Sequence, residues 1–94
     1  MLAIVSYDIS ENKIRTNLIK KLRHFGLHRI QKSLFAGDLD LNERKDLKSD
    51  FKTFLSSNKD SIILFPICDS CKNSISINSE EKIQLPNDIE FKFI

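Results

Sequence analysis

The order of apolar patterns along this chain predicts an α+β fold in which two helices pack on one face of an antiparallel sheet. Three observations support this class. Two apolar runs of strand length occupy residues 2–8 and 61–67. Two segments between them carry apolar residues at i, i+4 spacing, which is typical of amphipathic helices. The stretch that separates these two helices alternates apolar and polar residues, as half-buried strands do.

Residues 2–8 are apolar almost throughout, which predicts a central strand buried on both faces. The next segment, about residues 11–25, predicts the first helix. Its apolar stripe consists of Ile14, Leu18, Ile19, Leu22 and Phe25. Ser10 stands where an N-cap is expected, and Gly26 stands where a glycine commonly ends a helix.

The middle of the chain predicts two short strands, or one bent strand, from "LHRIQ" and "LFAGDL" at residues 27–31 and 34–39. Asp40 and Glu43 then have the spacing of a capping box, which predicts the start of a second helix. The apolar stripe of that helix consists of Leu47, Phe51, Phe54 and Leu55.

Residues 61–67, "SIILFPI", predict the last core strand, and Pro66 confines its end to a sheet edge or a bulge. The resulting order, β-α-β-β-α-β, is that of the ferredoxin-like fold, in which right-handed crossovers place both helices on one sheet face. We expect one domain over residues 1–94 with its core at about 1–71. Alternating segments in about residues 74–94 predict extra C-terminal strands that contribute to a homodimer.

Composition places the chain among ordinary globular proteins, with 40% hydrophobic residues, 30% charged residues and only two Gly and two Pro. A chain of this size buries only about 60–65% of its unfolded surface, so stabilisation by a partner is expected. Its apolar runs are far shorter than the roughly 20 residues that span a bilayer, and we see no secretion signal. We therefore expect a cytoplasmic protein with no membrane partner.

Charge is distributed unevenly along the chain. No acidic residue occurs from Asn12 to Gly37, whereas this window holds seven basic residues and leaves −5 on the remainder of a chain of net charge +2. The seven are Lys13, Arg15, Lys20, Lys21, Arg23, Arg29 and Lys32. Such a split predicts a basic face for a polyanion, with a merely solvated helix face as the alternative. The candidate nucleic-acid-binding residues are Lys13, Arg15, Lys20, Arg23, Arg29 and Lys32.

Four features occur in a fixed order: an N-terminal "YDIS", a basic helix, "GLHRIQKSLF" after it, and "PICDSC" at the end of the last core strand. Together they resemble the CRISPR-associated (Cas) family two, the small ferredoxin-like member of the CRISPR spacer-acquisition pair, over residues 1 to about 71. The resemblance implies a homodimer with its two sheets face to face, an integrase subunit as partner, and bound duplex DNA. It also implies magnesium- or manganese-dependent cleavage of RNA or double-stranded DNA in some members, and an architectural role in others.

The resemblance assigns the catalytic and metal-binding role to Asp8. In a two-fold symmetric interface a residue near the axis meets its own copy, so two Asp8 carboxylates can share one cation. The alternative is that Asp8 caps the following helix. Tyr7, Ser33 and Phe35 are supporting candidates for the site. The simpler interpretation is that Tyr7 and Phe35 pack in the core and that the Ser33 hydroxyl stabilises a turn.

The remaining polar motifs have simpler explanations. Cys68 and Cys71 form a C-x-x-C that we interpret as packing at a strand end. The alternative is a zinc site across a dimer axis, with two cysteines from each chain. Redox chemistry of the thioredoxin kind is not expected, because the sequence predicts no helix between the two cysteines. His24 and His28 are interpreted as surface residues. At the level of function, a purely architectural DNA-binding adaptor and a related ribonuclease toxin are the alternatives to a nuclease.

Overall fold

The main sheet has four strands in the order β2-β3-β1-β4, and every neighbouring pair is antiparallel. The computed structural model describes residues 1–80 and 92–93. Its elements are β1 (Leu2–Asp8), α1 (Asn12–His24), β2 (His28–Gln31), β3 (Leu34–Asp38), α2 (Leu41–Asp50), a 3₁₀ turn (Phe51–Phe54), β4 (Ser61–Ile67), α3 (Asp69–Lys72), β5 (Ser76–Ile77) and β6 (Lys92–Phe93). The predicted ferredoxin-like α+β fold is confirmed.

Both helices lie on the same face of this sheet. Side chains alternate along a strand, so Ala3, Val5 and Tyr7 of β1 point together to one side, where they are buried. The residues that pack with them include Leu18 and Leu22 of α1, Phe35 of β3, Leu47 of α2, and Ile62 and Leu64 of β4. Each fully buried Leu or Phe among them contributes roughly 1.5–3 kcal/mol of transfer free energy.

The opposite side of the sheet, here called the open face, carries Ile4, Ser6 and Asp8 of β1. Its register places Ile4 beside Phe65 of β4 and Ser6 beside Ile63. Ile63 and Phe65 keep 49% and 46% of their surface exposed. Part of this face is covered, because Ile75, Leu2, Ala36 and Ile30 form a second, smaller cluster with Ile4. The β4 side is left as an exposed apolar surface.

Local signals for the helix ends were mostly correct. Gly26 has a φ of +85° and follows the C-cap Phe25, as predicted. The predicted capping box at Asp40 and Glu43 is present, with each side chain accepting a hydrogen bond from the other residue's backbone N–H. The prediction that Ser10 caps α1 is wrong: the N-cap is Glu11, whose side chain makes no capping bond.

The second helix is shorter than its apolar stripe suggested. α2 ends at Asp50, and Phe51 and Phe54 pack on the core from the following 3₁₀ turn. Leu55 lies beyond that turn and is 43% exposed, so it does not belong to the buried stripe. The tighter 3₁₀ spacing brings side chains at i and i+3 onto one side, which places the two phenylalanines together.

The C-terminal segment forms a small sheet of its own. Within the described residues, β5 pairs in parallel with β6 rather than with the main sheet. Residues 82–85, "KIQL", are one of the alternating C-terminal segments and lie outside the described residues, so the contribution of residues 74–94 to a dimer stays a prediction. None of the helices in residues 1–80 is long and apolar enough to cross a membrane.

Candidate nucleic-acid and metal site

A cleft of about 390 Å³ opens where the end of β1, the start of α1 and the β2–β3 turn meet. It is called the Asp8 cleft here. It is lined by Tyr7, Asp8, Ile9, Arg15, Lys32 and Ser33. All of these residues except Ile9 were predicted from the sequence as site residues. They come from three separate segments of the chain. The cleft therefore combines one carboxylate with two cationic side chains.

Asp8 is the last residue of β1, and its backbone is held opposite Ser61 of β4. Its side chain is exposed on the open face. Within residues 1–80 and 92–93 no hydrogen bond or ion pair engages its carboxylate. The alternative that Asp8 caps α1 is wrong, because Glu11 holds that position. The backbone of Asp8 is thus fixed in the sheet, and the oxygens of its carboxylate are available to a ligand.

Tyr7 holds the β2–β3 turn against the end of β1. The ring is only 4% exposed, and the hydroxyl donates a hydrogen bond of 3.0 Å to the carbonyl of Lys32. The backbone N–H of Tyr7 donates to the carbonyl of Ser33 at 3.1 Å. Core packing with a satisfied hydroxyl, the simpler interpretation of Tyr7, is confirmed. Its contacts leave the side chains of Lys32 and Ser33 exposed beside Asp8.

Arg15 reaches back from the first turn of α1 to the loop that follows Asp8. One guanidinium nitrogen, Nη1, donates to the carbonyl of Ile9 at 3.0 Å, and Nη2 contacts the side-chain oxygen of Asn12. A guanidinium carries five N–H donors, so these two contacts leave donors for a phosphate. Arg15 therefore both braces the loop and supplies positive charge to the Asp8 cleft.

Asp60, which sequence reasoning missed, fastens the same loop from the other side. Its carboxylate accepts hydrogen bonds from the backbone N–H and the hydroxyl of Ser10 at 3.0 and 2.9 Å, and from those of Ser56 at 3.0 and 2.9 Å. The backbone bond from Ser56, then the one from Ser10, hold the pKa of Asp60 well below its usual range. The closely spaced serines before Asp60 signalled a turn, but no local pattern revealed Ser10 as a partner.

A second basic cleft of about 420 Å³ lies at the other end of α1, and its lining includes Arg23, His28 and Arg29. Arg29 connects the two clefts, since its Nη2 lies 3.5 Å from the Tyr7 hydroxyl and its guanidinium lies 5.5 Å from the centre of the Phe35 ring. Phe35 is fully buried, which confirms its interpretation as a core residue.

The remaining cations of the basic window divide into two groups. Lys13 and Lys20 are exposed and lie two helical turns apart on one face of α1, with Arg23 one turn farther. Lys21 is half-buried, pairs with Asp50 at 2.9 Å and packs over the Phe25 ring. Lys21 is therefore occupied within the chain, whereas the other three cations face solvent.

The histidines and cysteines lie away from the Asp8 cleft. His24 and His28 are exposed, as expected. The prediction that Cys68 and Cys71 pack at a strand end is wrong, because both are exposed. A short helix, α3, also joins them, contrary to the sequence interpretation. A four-residue helix is too short to show a periodic apolar pattern, which is why the sequence did not predict it.

The described residues contain no group of three or more His, Cys, Asp or Glu side chains that could hold a metal ion. Magnesium does not require such a group, since it commonly takes one or two carboxylates and keeps water and phosphate oxygens as its other ligands. The donor chemistry of Asp8 fits this requirement when a second carboxylate or a phosphate is supplied from outside the chain.

Comparison with known proteins identifies the family. The model of the family described as CRISPR associated protein Cas2 matches residues 1–75. This chain belongs to the Cas2 family. A CRISPR-associated endoribonuclease Cas2 from Archaeoglobus fulgidus is 34% identical over 94 residues, the full length of both chains. One from Korarchaeum cryptofilum is 36% identical over 66 residues, which covers 70% of this chain and 71% of that protein.

Solved structures agree with the Cas2 assignment. A crystal structure of a hypothetical protein from Thermus thermophilus matches with a TM-score of 0.65 and 30% identity, over 71% of this chain and 80% of that one. A crystal structure of a Cas2 protein matches with a TM-score of 0.62 and 26% identity, over 69% and 71% of the two chains. The structural likeness thus covers about seven tenths of this chain in both cases.

Replacement of Asp60 by Asn tests its role in holding the loop. Because the folded-state pKa is lowered, Asp60 stabilises the fold at pH values above its ordinary value of 3.8, and this contribution is lost as the pH falls below that value. We expect Asp60→Asn to lower the melting temperature at pH 7, and the difference from the native chain to shrink below about pH 4.

Thermal unfolding followed by circular dichroism between pH 2 and 7 measures this difference. Asp46→Asn is the matched control, since Asp46 is exposed on α2 and, in the described part of the chain, its carboxylate makes no hydrogen bond. A constant difference between the native chain and Asp60→Asn over the whole pH range would contradict the proposed role.

Proposed function

We propose that this Cas2-family chain acts as a homodimer in CRISPR spacer acquisition, binds duplex nucleic acid together with an integrase subunit, and hydrolyses phosphodiester bonds in a magnesium- or manganese-dependent reaction through Asp8 of both chains. One observation carries the proposal. Asp8 is an exposed carboxylate without a partner in the described chain, fixed at the end of the central strand beside Arg15 and Lys32. Family membership and the relatives named endoribonucleases support the substrate class.

The open face supports the homodimer. Ile63 and Phe65 are about half exposed there, and a small domain gains considerably by burying such side chains. Asp8 stands on the same face. It pairs with Ser61, two residues along the strands from the pair formed by Ser6 and Ile63. In a two-fold interface built on this face, each chain presents the same surface to the other. The two Asp8 side chains are then brought toward one axis.

Asp8 from each chain would hold the metal ion in this arrangement. When bound, magnesium or manganese supplies Lewis acidity toward a phosphodiester group. Arg15 and Lys32 of the same cleft bind the negatively charged phosphate, Arg15 by paired N–H donors and Lys32 as a point charge. Tyr7 keeps the β2–β3 turn, and with it Lys32, at a constant position beside Asp8.

The exposed cations of α1 support nucleic-acid binding outside the Asp8 cleft. Lys13, Lys20 and Arg23 follow one another along the helix and have no acidic partner in the described chain. Cations in a row contact successive phosphates without reading base edges, which gives binding that depends on salt but little on sequence. Arg23 continues this surface into the second basic cleft with Arg29.

An architectural adaptor without catalysis is the second candidate, favoured by the single carboxylate that one chain brings to the Asp8 cleft. It shares the dimer, the basic surface and the integrase partner with the main proposal. The two candidates differ only in what Asp8 does.

Replacement of Asp8 by Asn separates them. The change keeps the size of the side chain and removes its charge, so we expect cleavage of RNA or duplex DNA to fall at least about a hundredfold, with dimerisation and duplex affinity retained. Cleavage assays with and without magnesium, on protein of checked purity, measure the effect. Asp46→Asn is the control for charge, and equal cleavage by the native and Asp8→Asn proteins would favour the adaptor.

Removal of three exposed cations tests the basic surface. A chain with Lys13, Lys20 and Arg23 all replaced by Ala should bind duplex DNA more weakly and with a less steep salt dependence. The slope of log affinity against log salt should fall by about 2–3, since each phosphate contact contributes about 0.9.

Fluorescence anisotropy with labelled duplex between about 50 and 200 mM salt gives the slope. The matched control replaces Lys45, Lys48 and Lys52 by Ala. It removes the same charge from exposed positions on and after α2. Equal slopes for the two triple variants would show that total charge, rather than the α1 surface, governs binding.

A further inference from the structure

Cys68 and Cys71 are two exposed thiols that the proposed function does not use. Cys68 follows the last residue of β4 and is the N-cap of α3, and Cys71 lies within α3. Neither residue lines the Asp8 cleft or the second basic cleft. Their exposure means that core packing does not account for the C-x-x-C.

The backbone between the two cysteines forms one helical turn. The N–H of Lys72 donates to the carbonyl of Cys68 at 2.9 Å, and the N–H of Ser74 donates to the carbonyl of Cys71 at 3.0 Å. Residues at i and i+3 of such a turn lie on the same side of it. The turn therefore presents both thiols next to each other and to solvent, the arrangement needed to close a short disulfide.

The surroundings of the two sulfur atoms differ. Cys68 Sγ lies 3.2 Å from the hydroxyl oxygen of Ser70. This hydrogen bond and, next, the interaction with the Cys71 thiol lower the pKa of Cys68 to about 7. The Cys68 sulfur in turn raises the pKa of Cys71. At neutral pH about half of Cys68 is thus thiolate, beside a thiol that keeps its proton, which is the combination of an attacking and a resolving cysteine.

We propose that Cys68 and Cys71 are a dithiol site that exchanges with low-molecular-weight disulfides and closes to an intramolecular disulfide. The Cys68 thiolate attacks one sulfur of the small disulfide, forms a mixed disulfide and releases one thiolate. Cys71 then loses its proton and attacks the Cys68 sulfur, which releases the second thiolate. The two protein sulfurs lose two electrons in total, and the small disulfide gains them and leaves as two thiols.

Alkylation and mass measurement of the full-length chain test this site. After incubation of the reduced protein with oxidised glutathione at pH 7, the native chain should lose both free thiols, carry no glutathione, and release two glutathione molecules. Cys71→Ser should stop at one glutathione bound to Cys68, because no resolving thiol is left. Free thiols that persist in the native chain with excess oxidised glutathione would overturn the proposal, as would a stable adduct on both cysteines.

Rates of alkylation show whether the fold activates Cys68 specifically. At pH 7, Cys68 in Cys71→Ser should react about fivefold faster than Cys71 in Cys68→Ser, and its rate midpoint should lie below the ordinary value of a thiol, because the Ser70 hydroxyl still contacts Cys68 in that variant. Ser70→Ala should move that midpoint upward because it removes the hydroxyl contact. The same proteins in denaturant are the control, and equal rates for the two cysteines in the folded state would contradict the assigned roles. These outcomes do not depend on nucleic-acid binding or cleavage.

Discussion

The position of β1 between β3 and β4 is the constraint on which the rest of this molecule depends. Hydrogen bonds on both sides fix the register of β1, so its odd-numbered residues face the two helices and its even-numbered residues face the open side. A shift by one residue would exchange the two sets and would place apolar side chains in water. The buried residues Ala3, Val5 and Tyr7 therefore also decide where Asp8 points.

Because side chains alternate along β1, neighbouring residues of the Asp8 cleft have different roles. Tyr7 points to the helix side, where its hydroxyl holds the β2–β3 turn by a bond that contributes about 0.5–1.5 kcal/mol. Asp8 points to the opposite side and has no partner in the described chain. The loop after it is fastened by Arg15 and by Asp60. The position of Asp8 thus depends on contacts made by neighbouring residues and not on contacts of its own side chain.

The sequence was informative about several structures that depend on residues close together in the chain. The strand over residues 61–67, the glycine after α1 and the capping box at Asp40 were all visible, because each follows from a local pattern. Ser10 was assigned wrongly, since its actual partner, Asp60, lies 50 residues away. Cys68 and Cys71 were also misjudged, because local apolar content does not indicate whether a strand end is covered.

The predicted site residues also differ in how much of their role could be predicted from the sequence. Asp8, Lys32 and Ser33 lie in one cleft, although only the family resemblance singled out Asp8 before the fold was known. Charge counting found the basic surface of α1 but could not separate Lys21, which pairs with Asp50, from the free Lys20. Phe35 was recognisable as a core residue because a large aromatic side chain in a predicted strand commonly packs in the core.

A metal ion shared by two Asp8 side chains and burial of the exposed part of the open face both require two copies of the chain, because one chain offers a single carboxylate in the Asp8 cleft and leaves Ile63 and Phe65 about half exposed. Sedimentation equilibrium of the native protein at micromolar concentration tests this requirement most directly. We predict a molar mass of twice 10.9 kDa, falling to that of one chain when Phe65 is replaced by Lys without loss of secondary structure. A native protein that remains a monomer at all accessible concentrations would contradict it.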